Sequence, residues 1–256
     1  MKPLLSVITA TYNSEKTLIE TVNSVLKQNY TNFEYIIIDG NSTDNTLNII
    51  KNFETIFNEK KIIYKWISEN DSGIYNAWNK GLNIATGNWI SFLGSDDVYY
   101  ENVLEKYAEK AIAKPQAHFI HSKVKLINEK KEVIFKISDT WKWNNFKRAM
   151  KIAHVGSFHN IEYFNKYGVY NESYKIVGDY EMLLRAKNNL KTVFFDSFTA
   201  EMKDGGISNK NVLKAFKEVR KAKIETANIN KLFAFFDFYF YVSKHYLSKL
   251  KKHLLF

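Results

Sequence analysis

The segment Trp89-Ile90-Ser91-Phe92-Leu93-Gly94-Ser95-Asp96-Asp97 decides the fold that this sequence predicts. Its apolar first half is typical of a buried strand, and two adjacent carboxylates follow where that strand ends. In open α/β sheets, ligands bind at the carboxyl edge of the strands. Two neighbouring carboxylates repel each other unless a cation or hydrogen-bond donors compensate their charge. Because divalent cations such as Mg²⁺ take oxygen ligands and are often held together with substrate phosphates, the segment predicts a metal–diphosphate site.

The first half of the chain alternates between predicted strands and helices. Strands are predicted over residues 4–9, 33–38, 62–67 and 89–93, and helices over residues 15–28, 43–57 and 74–85. Ser14 and Asp44 are candidate caps of the first two helices. This alternation favours βαβ units and a mainly parallel sheet.

The second half is less regular. Segments 123–127 and 132–137 predict a hairpin, segments 102–113, 141–150 and 180–187 predict helices, and segment 192–195 predicts a short strand. Everything after residue 211 has a helical pattern. We therefore predict an α/β fold with an open mixed sheet flanked by helices over residues 1–209 (a nucleotide-binding half, 1–100, and an acceptor half, 101–209), followed by a helical tail, 210–256.

Composition excludes some classes of protein, and the positions of the charged residues show where the net positive charge lies. There is no cysteine, which excludes disulfides and thiolate metal sites. No window approaches the ~20 apolar residues that a membrane span needs, so we expect a protein that is cytoplasmic or bound to the inner face of a membrane. The tail carries 11 Lys and Arg against three acids, and therefore most of the chain's net charge of +10. Since the basic residues gather in the tail rather than along a cleft, we expect no nucleic-acid partner.

Polar residues follow all four predicted strands of the first half. They are Thr11-Tyr12-Asn13, Asp39, Asp71 and Asp96-Asp97. An acid after the second strand can accept hydrogen bonds from ribose hydroxyls, although Asp39 is also compatible with a simple turn before Gly40. Asp44 is better explained as a helix cap than as a ligand.

The helix after the third strand carries two further candidates. Asn79 could bond a base or ribose, and Lys80 could neutralise phosphate. A solvated helix face would explain both residues equally simply.

The segment Gly178-Asp179-Tyr180-Glu181 opens a later helix with two acids. Residues two apart on a helix point about 200° away from each other, so only one of the acids can face the site. Asp179 is better placed, although helix capping alone would also explain it. His154 is a weaker candidate for contacting the acceptor or the diphosphate, as is Glu181, and a structural role is as plausible for the histidine. Residues 205–208 predict a turn that either closes over a diphosphate or is a plain loop.

These motifs together resemble the family 2 glycosyltransferases with the GT-A fold, over about residues 4–209. The matching segments are 6–13, 38–44, 69–81, 85–87, 94–97, 178–180 and 205–208. The resemblance implies transfer of a sugar from a nucleotide donor with inversion at the anomeric carbon, and UDP is the nucleotide that the family favours. Within this family, the order of the motifs resembles that of bacterial O-antigen and capsule sugar transferases.

The resemblance also implies roles for individual residues. Thr11, Tyr12, Asp39 and Asp71 would hold the nucleobase and ribose, and Asp96 would approach the ribose or the donor sugar. Asp97 would bind Mn²⁺ or Mg²⁺, and Asp179 would be the general base. The family's usual Asp-x-Asp is Ser95-Asp96-Asp97 here, which leaves Asp97 as the main protein ligand and predicts weak metal binding.

The tail combines an aromatic run, residues 232–242, with a basic run, residues 244–252. This pattern favours an anionic membrane surface, and packing against the body or a second subunit is the alternative. With the resemblance, it indicates a polyprenyl-diphosphate-linked saccharide acceptor at the inner face of the cell membrane, in lipopolysaccharide O-antigen or capsule synthesis.

Two other classes remain open from the sequence. A sugar-nucleotide pyrophosphorylase should have a Gly-rich, Arg-containing loop after the first strand, where this chain has Thr11-Tyr12-Asn13-Ser14-Glu15. A non-catalytic nucleotide- or carbohydrate-binding module would need neither Asp179 nor the carboxylate pair.

Overall fold

The computed structural model of the chain describes residues 4–206 and 211–254. Within these ranges, nine strands form one sheet with the order β3-β2-β1-β4-β8-β6-β9-β5, and β7 pairs with β6 outside this path. The strands are β1 (Leu5–Thr11), β2 (Phe33–Asp39), β3 (Ile63–Ser68), β4 (Trp89–Phe92), β5 (Val98–Tyr99), β6 (Phe119–Ile127), β7 (Val133–Ile137), β8 (Ser157–Asn160) and β9 (Thr192–Lys203). The predicted open mixed sheet with flanking helices is confirmed.

Helices cover the sheet, and two of them follow it. They are α1 (Leu18–Leu26), α2 (Thr46–Glu59), α3 (Ile74–Ile84), α4 (Val103–Ala113), α5 (Trp143–Phe146), α6 (Ile161–Tyr167), α7 (Gly178–Leu184), α8 (Val212–Glu225) and α9 (Lys231–Leu254). No helix in the described part of the chain has both the length and the apolar character that crossing a membrane requires.

The core has two layers, one on each face of the sheet. Successive residues of β1 point to opposite faces: Val7 packs with the buried sides of α1, α2 and α4, and Ile8 packs with those of α3, α6 and α7. β2 is buried along its whole length. This explains why the central strands have almost continuous apolar sequences, since parallel strands covered on both faces have no solvent side.

The register of the parallel strands aligns their carboxyl ends. Thr11 at the end of β1 lies opposite Asp39 of β2, and Asp39 lies opposite Ser68 of β3. On the other side, Ile8 pairs with Phe92, the last residue of β4. The loops that follow these four strands therefore leave the sheet at the same edge.

The structure corrects several predicted elements in the second half. The strand predicted to end at residue 195 continues to Lys203, because shifts in its register with β6 between His121 and Val124 carry the pairing past Asp196-Ser197. The helix predicted over residues 141–150 is reduced to the single turn of α5, and the helix predicted over 180–187 runs from Gly178 to Leu184.

Other elements carry no clear sequence signal. The four residues of β8 become a strand because they fill the gap between β4 and β6. α6 was also missed, although Asn160 caps it by accepting a hydrogen bond from the Glu162 amide. The β6–β7 hairpin and the helical pattern after residue 211 are confirmed.

Candidate active site

Hydrogen bonds join the four loops at the carboxyl edge into one surface. The Gly40 amide donates to the Thr11 carbonyl at 2.9 Å, and the Glu69 amide donates to the Asp39 carbonyl at 3.0 Å. The hydroxyls of Ser14 and Ser95 lie 2.9 Å apart, which connects the β1 loop to the β4 loop. Ser14 is therefore a loop contact and not the predicted helix cap, since α1 begins at Leu18.

Asp39 is a fully buried carboxylate held by serines at the end of β2. Its Oδ2 accepts from the Ser68 hydroxyl at 2.7 Å and from the Ser42 amide at 3.1 Å, and its Oδ1 accepts from the Ser42 hydroxyl. A carboxylate has about four lone-pair sites. It can therefore accept one further hydrogen bond from a ligand while these donors keep it in place.

Tyr12 and Asp71 both lie close to Gly40. A Cβ atom at Gly40 would lie 2.6 Å from the Asp71 Oδ2 and 3.4 Å from the Tyr12 ring. Glycine therefore allows an aromatic ring, 61% exposed, to lie near a carboxylate. A flat ring face beside a hydrogen-bond acceptor can hold a planar, amide-containing ring such as a nucleobase.

Thr11 contributes a second polar atom at the end of β1. Its Oγ1 is buried and has no hydrogen-bond partner among the residues that the structure describes. Buried polar atoms in native proteins are nearly always satisfied, so this hydroxyl is available to a ligand or a water molecule.

Asn13 and Asn79, which are predicted to contact the donor, also make hydrogen bonds within the protein. The Asn13 Oδ1 accepts from the Thr43 amide at 2.9 Å and shapes the loop before α2. The Asn79 Nδ2 donates to the Tyr170 carbonyl at 2.9 Å and to Glu172 at 2.8 Å, and its Oδ1 accepts from the Tyr170 amide. Asn79 has no donor left for a nucleotide.

Lys80 is also engaged, in a more exposed setting. Its Nζ lies 2.8 Å from Glu69 and donates to the Asn70 carbonyl at 2.7 Å. This arrangement supports the loop that carries Asp71, and the predicted phosphate contact of Lys80 would require these bonds to break.

Asp96 and Asp97 differ in their surroundings. Asp96 is exposed, whereas Asp97 is buried and its Oδ1 accepts from the Lys203 amide at 3.0 Å. Burial raises the pKa of Asp97 to about 8, and the charge of Asp96 contributes to this increase. A Cβ atom at Gly94 would lie 2.5 Å from the Asp97 Oδ2 and 3.2 Å from the Asp96 Oδ1, so only glycine lets both carboxylates approach this turn.

The carboxylate pair fits a divalent cation that is shared with a ligand. Among the described residues, no group of three or more His, Cys, Asp or Glu could hold a metal by itself. Hard oxygen ligands and a concentrated negative charge suit Mg²⁺ or Mn²⁺, and a diphosphate and water would have to supply the remaining ligands. Ser95 stands where the family's Asp-x-Asp motif has its first acid, which is consistent with this small number of protein ligands.

Asp179 lies in the first turn of α7. Its Oδ1 accepts from the Tyr180 amide at 2.9 Å and from the Tyr75 hydroxyl at a longer 3.4 Å. Burial raises the pKa of Asp179 to about 6. A carboxyl group with this pKa is ionised at neutral pH and is a stronger base than an exposed aspartate.

Gly178 brings Tyr75 to Asp179. A Cβ atom at Gly178 would lie 2.8 Å from the Tyr75 ring, so the ring packs directly against the start of α7. Lys175 adds a second link, since its Nζ donates to the Ser72 carbonyl at 3.0 Å. The segment before α7 is thus tied to the loop that carries Asp71, and both reach the same edge of the sheet.

Glu181, weakly assigned to the acceptor or diphosphate, is buried and paired within the protein. Arg185 donates to it through Nη2 at 2.6 Å and Nε at 3.1 Å, and the Thr226 hydroxyl donates at 2.8 Å. This pairing leaves Asp179 as the better candidate of the two acids for a contact with substrate.

His154 belongs to the aromatic core beneath α3. Its ring stacks on Trp78 with centroids 4.9 Å apart, and its Nε2 lies 2.9 Å from the Tyr170 hydroxyl. Burial lowers its pKa to about 3, so the ring is neutral. This packing replaces the predicted contact with the acceptor or diphosphate. Of the predicted turn, Gly205 and Gly206 follow β9 and the next two residues lie outside the described ranges.

Sequence reasoning missed Tyr75, Lys175 and the Lys203 amide. Tyr75 lies beside Asp71-Ser72-Gly73 in a segment that was singled out, and the missing side chain of Gly178 was the signal for a close ring. The other two had no local signal, because a β-bulge and a loop crossing bring them to the site.

Comparison with known proteins supports the class that the fold and site define, a glycosyltransferase of the GT-A fold. Residues 6–168 match Glycosyl transferase family 2, and the chain belongs to this family. It is 30% identical over 226 residues to the "PGL/p-HBAD biosynthesis glycosyltransferase" of Mycobacterium tuberculosis H37Rv, covering 84% of this chain and 82% of that protein.

A second relative matches over a shorter length. The Escherichia coli "UDP-Glc:alpha-D-GlcNAc-diphosphoundecaprenol beta-1,3-glucosyltransferase WfgD" is 34% identical over 125 residues, which are 49% of this chain and 47% of that enzyme.

Solved structures share the fold at low sequence identity. S. aureus TarS 1-349 in complex with UDP has a TM-score of 0.68 and 20% identity, covering 94% of this chain and 71% of that one. The chain spans 41% of the longer TarS chain. The mannosyltransferase PcManGT from Pyrobaculum calidifontis, in complex with GDP-Man and Mn²⁺, has a TM-score of 0.66 and 14% identity, covering 90% and 66%.

Proposed function

We propose that this chain transfers a sugar from a UDP-sugar, with inversion, to a lipid-linked saccharide during bacterial surface-polysaccharide synthesis. The observation that carries the proposal is the convergence of two features on one sheet edge. One is Asp179, a half-buried aspartate of raised pKa that accepts from Tyr75 and follows Lys175, whose Nζ donates to Ser72 beside Asp71. The other is the carboxylate pair Asp96 and Asp97 after β4.

The donor half of the proposal rests on the loops after β1 to β3. The exposed ring of Tyr12 would stack on the uracil, and Asp71 would accept a hydrogen bond from the base. The remaining acceptor site of Asp39 would take a ribose hydroxyl. The complex of the TarS structure with UDP supports this choice of nucleotide.

The reaction needs one proton transfer from the acceptor. Asp179 removes the proton from the attacking hydroxyl, whose oxygen forms a bond to the anomeric carbon from the face opposite the diphosphate. The bond between that carbon and the diphosphate oxygen breaks, and its electron pair leaves with UDP. A positioned base of this kind contributes about 10²–10⁴-fold to the rate.

A divalent cation would be held by Asp97, with Asp96 beside it, and would supply charge neutralisation to the diphosphate. The Lys203 amide orients the Asp97 carboxylate for this task. The Mn²⁺ in the PcManGT structure supports the choice of metal.

The acceptor half of the proposal rests on relatives and on the tail. The name of the Escherichia coli relative specifies an acceptor on diphosphoundecaprenol. We infer a polyprenyl-diphosphate-linked saccharide for this chain, in O-antigen or capsule synthesis, at the inner face of the cell membrane. Within this proposal, residues 1–100 serve the nucleotide, residues 101–209 serve the acceptor, and residues 210–256 form a separate tail.

Calorimetric titration of UDP with and without Mn²⁺ tests the donor and metal assignments without knowledge of the acceptor. We expect Mn²⁺ to tighten UDP binding to the wild type, and Asp97→Ala to lose this gain, on the order of ten-fold or more. Asp139→Ala removes an exposed carboxylate elsewhere and is the matched control. If UDP binds neither with nor without metal, the donor assignment is wrong, and GDP and dTDP are the next nucleotides to titrate.

A further inference from the structure

One side of α9 exposes a stripe of large apolar residues. We call it the outer face of α9 and define it by Leu232, Phe233, Phe236, Tyr239, Phe240 and Leu247. Its three phenylalanines are 71%, 66% and 56% exposed in chain order. Monomeric soluble proteins rarely expose contiguous apolar patches larger than a few hundred Å² without a function. The stripe therefore indicates an interaction surface that a binding partner covers in the functional protein.

The opposite side of α9 is clamped to the body. Ala234 is fully buried, and Asp237 pairs with Arg148 at 2.8 Å and with the buried Lys223 at 3.0 Å. Phe238 and Tyr241 lie on this same side, against α8 and the α5 region. Because these contacts fix the rotation of the helix about its axis, the outer face cannot turn inward to bury its aromatic rings.

Positive charge borders the outer face. Lys231 and Lys244 are exposed, and at 100° per residue they lie on opposite sides of the stripe. The sequence adds Lys249, Lys251 and Lys252, and it contains no acid after Asp237. Apolar residues flanked by lysines are typical of helices that lie in the interface of an anionic membrane.

We propose that the outer face of α9 docks on the anionic surface of a phospholipid bilayer, with the helix axis parallel to the membrane. The inference rests on the proposed function in one respect, since a lipid-linked acceptor would present its saccharide at that surface. A second copy of the chain is a poorer occupant. Two such faces would bring like charges together, and the cores of protein interfaces are depleted in charged residues.

Vesicle flotation with the full chain tests the proposal. We expect the wild type to float with vesicles of phosphatidylcholine and phosphatidylglycerol, and much less with phosphatidylcholine alone. The double variant Phe236→Ser/Phe240→Ser should lose binding by on the order of ten-fold or more. Ile112→Ser/Val169→Ser, which removes two exposed apolar residues on other elements, is the matched control and should bind like the wild type.

A charge variant gives a second measurement that does not alter the apolar stripe. Lys231→Gln/Lys244→Gln should weaken binding by about five-fold for each lysine, and added salt should weaken the wild type in the same way. This variant decides the question if circular dichroism shows that the serine variant is misfolded.

Three results would overturn the proposal. In the first, the wild type does not float with anionic vesicles; in the second, the serine and lysine variants both bind vesicles as the wild type does. In the third, the wild type binds no vesicles but forms a dimer in sedimentation equilibrium, and Phe236→Ser/Phe240→Ser dissociates this dimer. UDP titration of the same variants separates this inference from the proposed function. Tail variants that bind UDP normally but do not float leave the donor site in place.

Discussion

Asp179 and Glu181 show how two acids on one helix turn take different roles. Asp179 is held by one backbone amide and one long contact with Tyr75, whereas Glu181 takes three short hydrogen bonds from Arg185 and Thr226. A base needs a lone pair that the substrate can reach, and Glu181 is buried in an ion pair with Arg185. The helix period of 3.6 residues places the two carboxylates on different sides of α7.

Asp179→Asn should lower turnover by about 10²–10⁴-fold, because an amide cannot take the acceptor proton. UDP binding should survive, since Asp179 does not contact the nucleotide in the proposed arrangement. Single-turnover assays with a UDP-sugar and a lipid-linked saccharide measure the first effect, and UDP titration measures the second. Glu181→Gln is the matched control. Near-normal turnover in Asp179→Asn together with loss in Glu181→Gln would reverse the assignment of the base.

Tyr75→Phe should move the acid limb of the pH–rate profile to higher pH. Burial raises the pKa of Asp179 to about 6, and the hydrogen bond from Tyr75 opposes this rise by stabilising the ionised form. Activity requires the ionised carboxylate, so the wild-type rate should rise with pH through about 6. Removal of the hydroxyl should place this rise at higher pH, and the high-pH rate should stay close to that of the wild type. An unchanged acid limb would mean that the 3.4 Å contact does not tune the base.

At the scale of elements, a buried ion pair links α9 to α8. Lys223 of α8 is 2% exposed and its ammonium lies 3.0 Å from Asp237 of α9. Arg148 completes the clamp from outside. Burial acts to raise the pKa of Asp237, but hydrogen bonds from Arg148 and Lys223 outweigh it and the pKa is lowered. Burial lowers the pKa of Lys223, and its hydrogen bond to Asp237 opposes this effect.

Asp237→Asn should destabilise the docking of α9 by about 3 kcal/mol, because it leaves the buried Lys223 ammonium without a counter-charge. Urea unfolding and limited proteolysis between α8 and α9 measure the effect. Glu225→Gln is the matched control, since Glu225 pairs with Lys221 only at 3.9 Å on the surface and should cost less than about 1 kcal/mol. Equal stability of the two variants would show that the clamp does not hold α9.

At the scale of the whole molecule, both layers of the core must close before the site exists. The core layer that contains Ile8, on the side of α3, buries three histidines among aromatic rings, and they are His121, His154 and His159. Burial lowers the pKa of His121 to about 4 and that of His154 to about 3. Burial, together with the nearby His154, holds the pKa of His159 well below its usual range. The unfolded chain would protonate these rings near about 6.5.

The buried histidines make the free energy of unfolding depend on pH. Below about pH 6.5 the unfolded state binds protons that the folded state does not, so the histidine contribution to the free energy of unfolding falls as the pH falls. Carboxylates with a raised pKa change the free energy of unfolding in the opposite direction. A variant is therefore needed to measure the contribution of the histidines alone. His159→Phe replaces one of these histidines with a ring that has no charged form. As the pH is lowered, the free energy of unfolding of this variant should rise relative to that of the wild type. Urea titrations above and below about pH 6.5 measure this. A constant difference between the two proteins would contradict the assignment.

The amino-acid sequence by itself determined the alternation of strands and helices, the continuous burial of the central strands and the row of polar residues at their ends. These follow from local periodicity and from the rule that parallel strands end at one edge, and they are why Asp39, Asp71, Asp96 and Asp97 could be grouped before any coordinates. Only the tertiary structure decided which polar groups remain free. Asn79 is used by Tyr170 and Glu172, far along the chain, and Asp97 is oriented by the Lys203 amide beyond a β-bulge. The raised pKa values of Asp97 and Asp179 likewise come from burial by distant segments. Burial and hydrogen bonding depend on contacts between residues about a hundred positions apart, and a local pattern carries no information about them.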